Sequence, residues 1–157
     1  MKGLYHENKG KCCGGLEGSR LAPGGWVLVI RPGALGDTLL SLPAIGLLHR
    51  AIGSRGRVEV LGYPSRLTLL EDAGLVEAIH SVDKAFFSGL FGEPVDRRLV
   101  EWMEKYDVIV AWCRDPRGHT ESLLERVGRP WVRSDPFPEP GSGVHAADHL
   151  STSLTKL

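Results

Sequence analysis

The sequence has little that would suit a membrane or secreted protein. Its 157 residues include three cysteines, and an odd number indicates no disulfide framework. No apolar run comes near the roughly 20 residues needed to cross a bilayer. The start of the chain also lacks a basic segment, an apolar run and a small-residue cleavage site in that order. These absences predict a cytoplasmic protein.

An excess of one charge is absent as well. Lys and Arg together number 19, and so do Asp and Glu, so the formal net charge at pH 7 is zero. No overall field would draw such a chain to nucleic acid, and an anionic ligand would need a local site. We therefore expect no nucleic-acid partner.

Spacings typical of metal ligands are scarce. Cys12 and Cys13 are adjacent, but no second Cys or His pair stands at zinc-finger spacing. His145 and His149 are one helical turn apart, as in the HxxEH zinc motif, but Asp148 stands where that motif needs Glu. The alternative is that both histidines are ordinary polar positions on a helix. We predict no metal site and no cofactor.

The chain divides into three parts by its patterning. Residues 1–24 show neither strand nor helix periodicity and are rich in Gly and charge, which predicts a disordered leader. Over 25–143, alternating strands and helices predict one α/β domain, a three-layer Rossmann-like parallel sheet. Four prolines between 129 and 143 predict a connecting loop. Residues 144–157 have an amphipathic helical pattern that reaches the last residue, and we expect this helix to lead to a further domain.

Apolar runs and helical spacing place the individual elements. The predicted order is strand 26–30, helix 37–52, strand 58–62, helix 65–73, strand 78–82, helix 94–105, strand 106–112 and helix 120–127. Pro43 lies inside the first helix, where a missing backbone donor should bend or restart it. Pro94 suits the first turn of the third helix.

A Gly-rich turn follows the first strand, from Arg31 to Asp37 (RPGALGD). Ligands of α/β sheets bind at the carboxyl ends of strands, where helix amino termini favour anions. The turn contains GxxG, so it is neither a Walker A loop nor a GxGxxG motif. Gly33 and Gly36 would allow backbone angles and close ligand approach that a side chain forbids. We expect Arg31, Gly33, Ala34, Leu35 and Gly36 to contact a substrate.

Asp37 has two interpretations. Asp is favoured in the first turn of a helix for capping and for its interaction with the helix dipole, with no catalytic role. Alternatively, a carboxylate at the mouth of the sheet takes a proton from a hydroxyl nucleophile, as general base catalysis requires.

The string from Val27 to Ala44 (VLVIRPGALGDTLLSLPA) closely resembles the opening of glycosyltransferase family 9, the heptosyltransferase-like group of bacterial lipopolysaccharide assembly. Members begin with an apolar strand, a basic residue, a small Gly-rich turn, Gly-Asp, an apolar helix and an early Pro-Ala. The resemblance continues in VEVLG at 58–62, YDVIV at 106–110 and HAADHL at 145–150. It covers about residues 26–157.

This resemblance implies the amino-terminal half of a GT-B glycosyltransferase, an inverting enzyme of two Rossmann-like domains that needs no metal. Residues 25–143 would bind the acceptor, and 144–157 would lead to a carboxy-terminal donor domain that is missing from this chain. Asp37 would be the base that activates the acceptor hydroxyl. Arg31 would face an acceptor phosphate, neutralise Asp37, or be a solvated charge at a strand end.

The implied partners are a nucleotide-sugar donor, held by the missing domain, and a glycolipid or glycan acceptor. The acceptor implies peripheral contact with the cytoplasmic face of the inner membrane. Trp112 is the last residue of a predicted strand, and Arg114 follows it. The polar cluster continues with Asp115, Arg117 and His119. We expect Trp112 and Arg114 to line the acceptor cleft, the alternatives being core packing for the indole and a charged surface loop for the cluster.

Two functions remain open. The first is the acceptor-binding part of an enzyme that moves a heptose-like sugar to lipopolysaccharide core or a related surface glycan. We expect this chain alone to be inactive, because transfer requires both substrates in near-attack geometry. The second is a stand-alone, non-catalytic Rossmann-like module that binds a phosphorylated metabolite or nucleotide at the same turn.

Overall fold

Five parallel strands form the central sheet in a computed structural model that describes residues 21–92 and 94–157. The strands are β1 Trp26–Ile30, β2 Arg57–Gly62, β3 Ala78–Ser81, β4 Val108–Trp112 and β5 Trp131–Ser134. The helices are α1 Leu35–Ile52, α2 Pro64–Asp72, α3 Arg97–Met103, α4 His119–Val127 and α5 Ala146–Ser153, with short 3-10 helices at Ala85–Leu90 and Leu154–Lys156. The predicted α/β parallel sheet is confirmed.

Helices cover both faces of this sheet, because alternate strand residues point to opposite sides. Val27 and Val29 of β1 lie in a core shared with α1, α2 and α5. Leu28 and Ile30 lie in the opposite core, shared with α3, α4 and the 3-10 helix at Ala85–Leu90. This double coverage explains why β1 and β4 are continuous apolar runs.

The strand order, β3-β2-β1-β4-β5, contains one reversal of direction. From β1 the chain proceeds outward through β2 to β3, and then returns to place β4 on the other side of β1. The helices that follow β1 and β4 pack on opposite faces, α1 in one core and α4 in the other. The carboxyl ends of β1 and β4 therefore border the crevice where α/β folds bind ligands.

Two predicted helix starts are wrong. The first helix begins at Leu35 instead of Asp37 and continues through Pro43 without restarting. Its buried face, which includes Ile45 and Leu48, keeps the helix packed on the sheet despite the missing donor. The third helix begins at Arg97, because Asp96 accepts a hydrogen bond from the Arg98 amide and caps it, so Pro94 lies outside.

The predicted loop over 129–143 is wrong in part, because it contains β5. This strand has four residues and pairs in parallel with β4, from Ile109 with Trp131 to Trp112 with Ser134. Its four residues are too few to show an alternating pattern in the sequence, so the strand depends on its pairing with β4. The 3-10 helix at Ala85–Leu90 was not predicted either.

Both ends of the described chain pack on this domain. The first 20 residues of the predicted disordered leader, which include Cys12 and Cys13, lie outside the part of the chain that the structure describes. Leu21, however, packs against the core, and the Gly24 amide donates to the Ile52 carbonyl at 2.7 Å. The final helical segment is α5, which packs on α1 and belongs to the same core through Leu150. Within the described ranges, no helix combines the length and apolarity that a bilayer span requires.

Candidate active site

The turn between β1 and α1 forms one side of the crevice. The Gly33 amide donates to the Arg31 carbonyl at 3.0 Å, which closes the turn tightly. Ala34 is the residue before the helix, and the Thr38 amide donates to its carbonyl at 3.1 Å. Ala34, Leu35 and Gly36 are all exposed. Of the residues of this turn that we predicted to contact a substrate, these three are thus reachable from solvent, whereas Gly33 is half-buried and Arg31 is buried.

The two oxygens of Asp37 have different surroundings. Oδ2 accepts a hydrogen bond from the Ala34 amide at 2.8 Å and so caps the first turn of α1. Oδ1 lies 3.8 Å from Nη2 of Arg31 and accepts no hydrogen bond from any described residue. The side chain is 23% exposed. The capping interpretation therefore fits one oxygen, while the other retains the capacity to accept a proton.

Arg31 lies under the turn, with a side chain that is 2% exposed. Its Nη1 donates to the Trp112 carbonyl at 3.4 Å, and its Nη2 donates to the Asp37 carbonyl at 3.2 Å. Burial lowers the pKa of the Arg31 guanidinium, and the neighbouring Asp37 carboxylate acts in the opposite direction. Of the three earlier interpretations, the solvated charge is wrong because the side chain is buried.

Gly33 and Gly36 differ in their surroundings. Neither has a positive φ, so the expected special backbone angles are absent at both. A Cβ on Gly33 would lie 2.8 Å from both Cβ and Oδ2 of Asp37, closer than such atoms approach. A Cβ on Gly36 would meet nothing within 4 Å. Gly33 is therefore required by the packing of Asp37, whereas nothing in the described chain requires Gly36.

This contrast makes Gly33→Ala and Gly36→Ala a matched pair of variants. Gly33→Ala should lower the free energy of unfolding by about 1–3 kcal/mol, because the added methyl group displaces Asp37. Gly36→Ala should raise it by about 0.4–1 kcal/mol, because the unfolded chain loses conformational freedom. Equilibrium urea unfolding measures both. Equal effects of the two substitutions would contradict the geometry described here.

Arg66 is a residue of this edge that the sequence analysis missed. It extends from the first turn of α2, where its Nη1 donates to the Gly33 carbonyl at 3.1 Å. Its guanidinium stacks on the Tyr63 ring, 4.4 Å from the centroid. Arg66 is exposed, whereas Arg31 is buried, so Arg66 is the cation at the surface of the turn. No local pattern in the sequence indicates the contact between Arg66 and Gly33, because α2 lies beside the end of β1 as a result of the pairing of β2 with β1.

Residues after β4 form the other side of the crevice. The Trp112 side chain is fully buried, and its Nε1 donates to Oγ of Ser153 at 3.0 Å. Its indole therefore belongs to the core and does not line the edge as we expected. Arg114, two residues after Trp112, is exposed. Asp115 instead supports the first turn of α4, since its Oδ2 accepts from the Glu121 amide at 2.9 Å.

Cys113 lies between Trp112 and Arg114 but is buried. Its Sγ is 3.9 Å from Oγ1 of Thr120, and burial raises the pKa of the thiol to about 11. A nucleophilic cysteine needs the thiolate, which this environment disfavours.

The HxxDH residues have structural partners. His145 caps α5, as its Nδ1 accepts from the Ala147 amide at 3.3 Å. Nε2 of His149 lies 2.9 Å from the Asp135 carbonyl oxygen and 3.1 Å from Oγ of Ser134, which joins α5 to the end of β5. Across the described residues, no group of three His, Cys, Asp or Glu side chains could hold a metal ion.

A second polar cluster lies away from the crevice, on the α3 side of the sheet. Oε2 of Glu59 is 2.7 Å from Nε2 of His80 and accepts from the Tyr106 hydroxyl at 2.7 Å. Burial would raise the pKa of Glu59, but these hydrogen bonds outweigh it and leave the pKa below its usual value. Burial and the Glu59 carboxylate raise the pKa of Tyr106. These hydrogen bonds link β3 to β2 and to the segment just before β4.

Comparisons with known proteins agree with the fold. The chain is similar to a solved glycosyl transferase family 9 structure from Veillonella parvula DSM 2008, with a TM-score of 0.61 and 17% sequence identity over 87% of this chain and 42% of that one. A second similar structure is the E. coli heptosyltransferase WaaC with ADP, with a TM-score of 0.49 and 15% identity over 83% and 47% of the two chains. The chain thus spans less than half the length of either structure. No protein-family model and no curated protein sequence matches it.

Proposed function

We propose that this chain is the acceptor-binding half of an inverting glycosyltransferase. The enzyme would move a heptose-like sugar from a nucleotide-sugar to lipopolysaccharide core or a related surface glycan. Asp37 would remove the proton from the acceptor hydroxyl, and a second Rossmann-like domain outside this chain would hold the donor in a GT-B arrangement. Without that domain the chain would not transfer sugar, because donor and acceptor must be held in near-attack geometry.

The observation that carries this proposal is the position of the Asp37 carboxylate. It lies beside the carboxyl ends of β1 and β4, with Oδ1 accepting no hydrogen bond from a described residue. A general base needs such an oxygen within reach of the proton it abstracts. The exposed Ala34, Leu35 and Gly36 would border the acceptor, and the open space at Gly36 suits a sugar that approaches the backbone closely.

The same carboxylate argues against the alternative, a module that binds a phosphorylated metabolite or nucleotide at this turn. Phosphate sites at helix amino termini use free backbone donors and positive potential. Here Oδ2 of Asp37 already accepts from the Ala34 amide, and its negative charge would repel a phosphate. A neutral hydroxyl suits this turn better than an anion.

The proposed partners follow from this assignment. The donor would contact the proposed second domain, and the acceptor would be a glycolipid or glycan that reaches the crevice past Arg114 and Arg66. Since lipopolysaccharide intermediates are anchored in the inner membrane, we place the enzyme in the cytoplasm, in peripheral contact with that membrane through its acceptor.

Ligand titration of the 157-residue chain, monitored by the NMR shifts of its amides, tests whether this chain binds the acceptor. A lipid-free lipopolysaccharide core oligosaccharide should shift the amides of Ala34, Leu35 and Gly36, because acceptor binding needs only this half. ADP and inorganic phosphate should leave them unchanged. If ADP or phosphate shifts these amides and the oligosaccharide does not, the phosphate-binding module is the better assignment.

A further inference from the structure

Arg31 connects the two sides of the crevice through backbone oxygens. One guanidinium group donates to the Trp112 carbonyl at the end of β4 and to the Asp37 carbonyl in the first turn of α1. Asp37 and Trp112 are 75 positions apart in the sequence, and they lie at the start of the helix that follows β1 and at the end of β4, the two strands that border the crevice. The side chain is 2% exposed, so it offers a ligand almost no surface.

We propose that Arg31 is a positioning residue that fixes the first turn of α1 against the end of β4 and thereby holds the Asp37 carboxylate in place. This inference rests on the proposed function, because it assigns Arg31 to the support of the base instead of to substrate contact. It accounts for the orientation of the carboxylate, with Oδ2 on the Ala34 amide and Oδ1 left without a donor from the described chain.

The distances show that Arg31 contacts the backbone of Asp37 more closely than its carboxylate. Nη2 of Arg31 is 3.2 Å from the Asp37 carbonyl oxygen but 3.8 Å from Oδ1 of its carboxylate. The planar guanidinium can reach two oxygens in fixed directions, whereas a lysine ammonium is a single point of charge. Charge alone therefore does not explain the arginine.

Burial of this arginine is costly. Its Nε is buried and has no hydrogen-bond partner among the described residues. A buried donor without a partner and a desolvated cation both lower stability, and well-packed apolar residues often replace buried ion pairs without loss. The turn also closes over the guanidinium, since a Cβ on Gly33 would lie 3.2 Å from Nη1. Fixed geometry of the Asp37 turn is a benefit that an apolar residue would not provide.

The Ala34 amide reports directly on the position of Asp37, because its hydrogen bond to Oδ2 slows exchange with solvent. We would measure this exchange in the 157-residue chain and in Arg31→Lys, Arg31→Met and Asp37→Ala. In both Arg31 variants the protection should fall about tenfold, to the level of Asp37→Ala. Unchanged Ala34 protection in a folded Arg31 variant would overturn the proposal.

Arg133→Lys is the matched control. Arg133 lies on strand β5, away from the Asp37 turn, and it forms ion pairs with Glu121 and Asp135. Its replacement should leave the exchange of the Ala34 amide unchanged. A loss of protection in Arg133→Lys equal to that in Arg31→Lys would mean that general loosening, and not positioning, explains the effect, and would also overturn the proposal.

A measurement on the unaltered chain covers the case in which the Arg31 variants do not fold. Couplings across hydrogen bonds should link the Arg31 Nη atoms to the carbonyl carbons of both Asp37 and Trp112. Lack of the Asp37 coupling would refute the positioning role.

These readouts need no sugar transfer, so the two proposals can fail separately. If Arg31→Lys releases the Ala34 amide but full-length Asp37→Asn transfers sugar normally, the positioning role holds and the base assignment fails. In the full-length enzyme, Arg31→Lys should lower kcat and leave the KM for the nucleotide-sugar unchanged.

Discussion

Asp37→Asn, placed in this chain joined to the donor domain that we propose, should lower kcat for sugar transfer by about 10²–10⁴-fold, the range that general base catalysis contributes. The substitution separates the two roles of the side chain. An asparagine oxygen can still accept from the Ala34 amide, so the cap of α1 is kept, and Asn and Asp rank alike as capping residues. The amide cannot take a proton from a hydroxyl. Steady-state kinetics with acceptor and nucleotide-sugar would measure the loss.

Asp96→Asn is the control for that experiment. Asp96 caps α3 by accepting from the Arg98 amide at 2.9 Å, as Asp37 caps α1, but it lies on another helix. Its substitution should leave the rate of transfer unchanged, and both variants should unfold within about 1 kcal/mol of the unaltered protein. Transfer by Asp37→Asn at the normal rate would rule out the base assignment and leave capping as the role of this carboxylate.

Trp112→Ala should have the largest effect on stability, about 3–5 kcal/mol, because it leaves a cavity where a fully buried indole fills the core between the sheet and α5. Equilibrium urea unfolding measures this loss. Because such a loss is comparable with the whole stability of a small domain, Trp112→Phe is the second variant. It keeps most of the volume, removes the donor to Ser153 and should cost about 1–2 kcal/mol.

Trp26→Ala provides the comparison for Trp112→Ala. Trp26 is 37% exposed, and its ring lies 4.9 Å from the guanidinium carbon of Arg57. Loss of this contact should cost about 1 kcal/mol or less. If the two alanine variants were equally stable, the indole of Trp112 would not be part of the core, and our expectation that it contacts the acceptor would regain support.

Local patterns in the sequence were sufficient for the elements that border the crevice. Strands β1 and β4 were predicted because a strand covered on both faces must be apolar throughout. The turn after β1 was predicted because its glycines follow such a strand directly, although α1 begins two residues before the expected Asp37. The end of α4 was also correct, since Gly128 has a positive φ of 69° and ends the helix.

Long-range contacts determined the features that the sequence did not reveal. The strand order, which makes the ends of β1 and β4 the crevice, depends on pairing between distant segments. The sequence predicts a ligand contact for Arg31 because a charged residue after a strand is usually exposed, and the Trp112 carbonyl that shares its buried guanidinium with Asp37 is 81 positions away. Arg66 was missed because its partner, the Gly33 carbonyl, is 33 positions away.

The short strand β5 also bears on how copies of this chain meet in solution. Exposed sheet edges invite strand-by-strand aggregation, and natural proteins limit this with short edge strands and prolines. The two edge strands, β3 and β5, have four residues each. Pro130 and Pro136 flank β5 and have no backbone N–H to donate, so an incoming strand could not extend a ladder past them. The prolines that led us to predict a loop here thus also restrict self-association along the edge of β5.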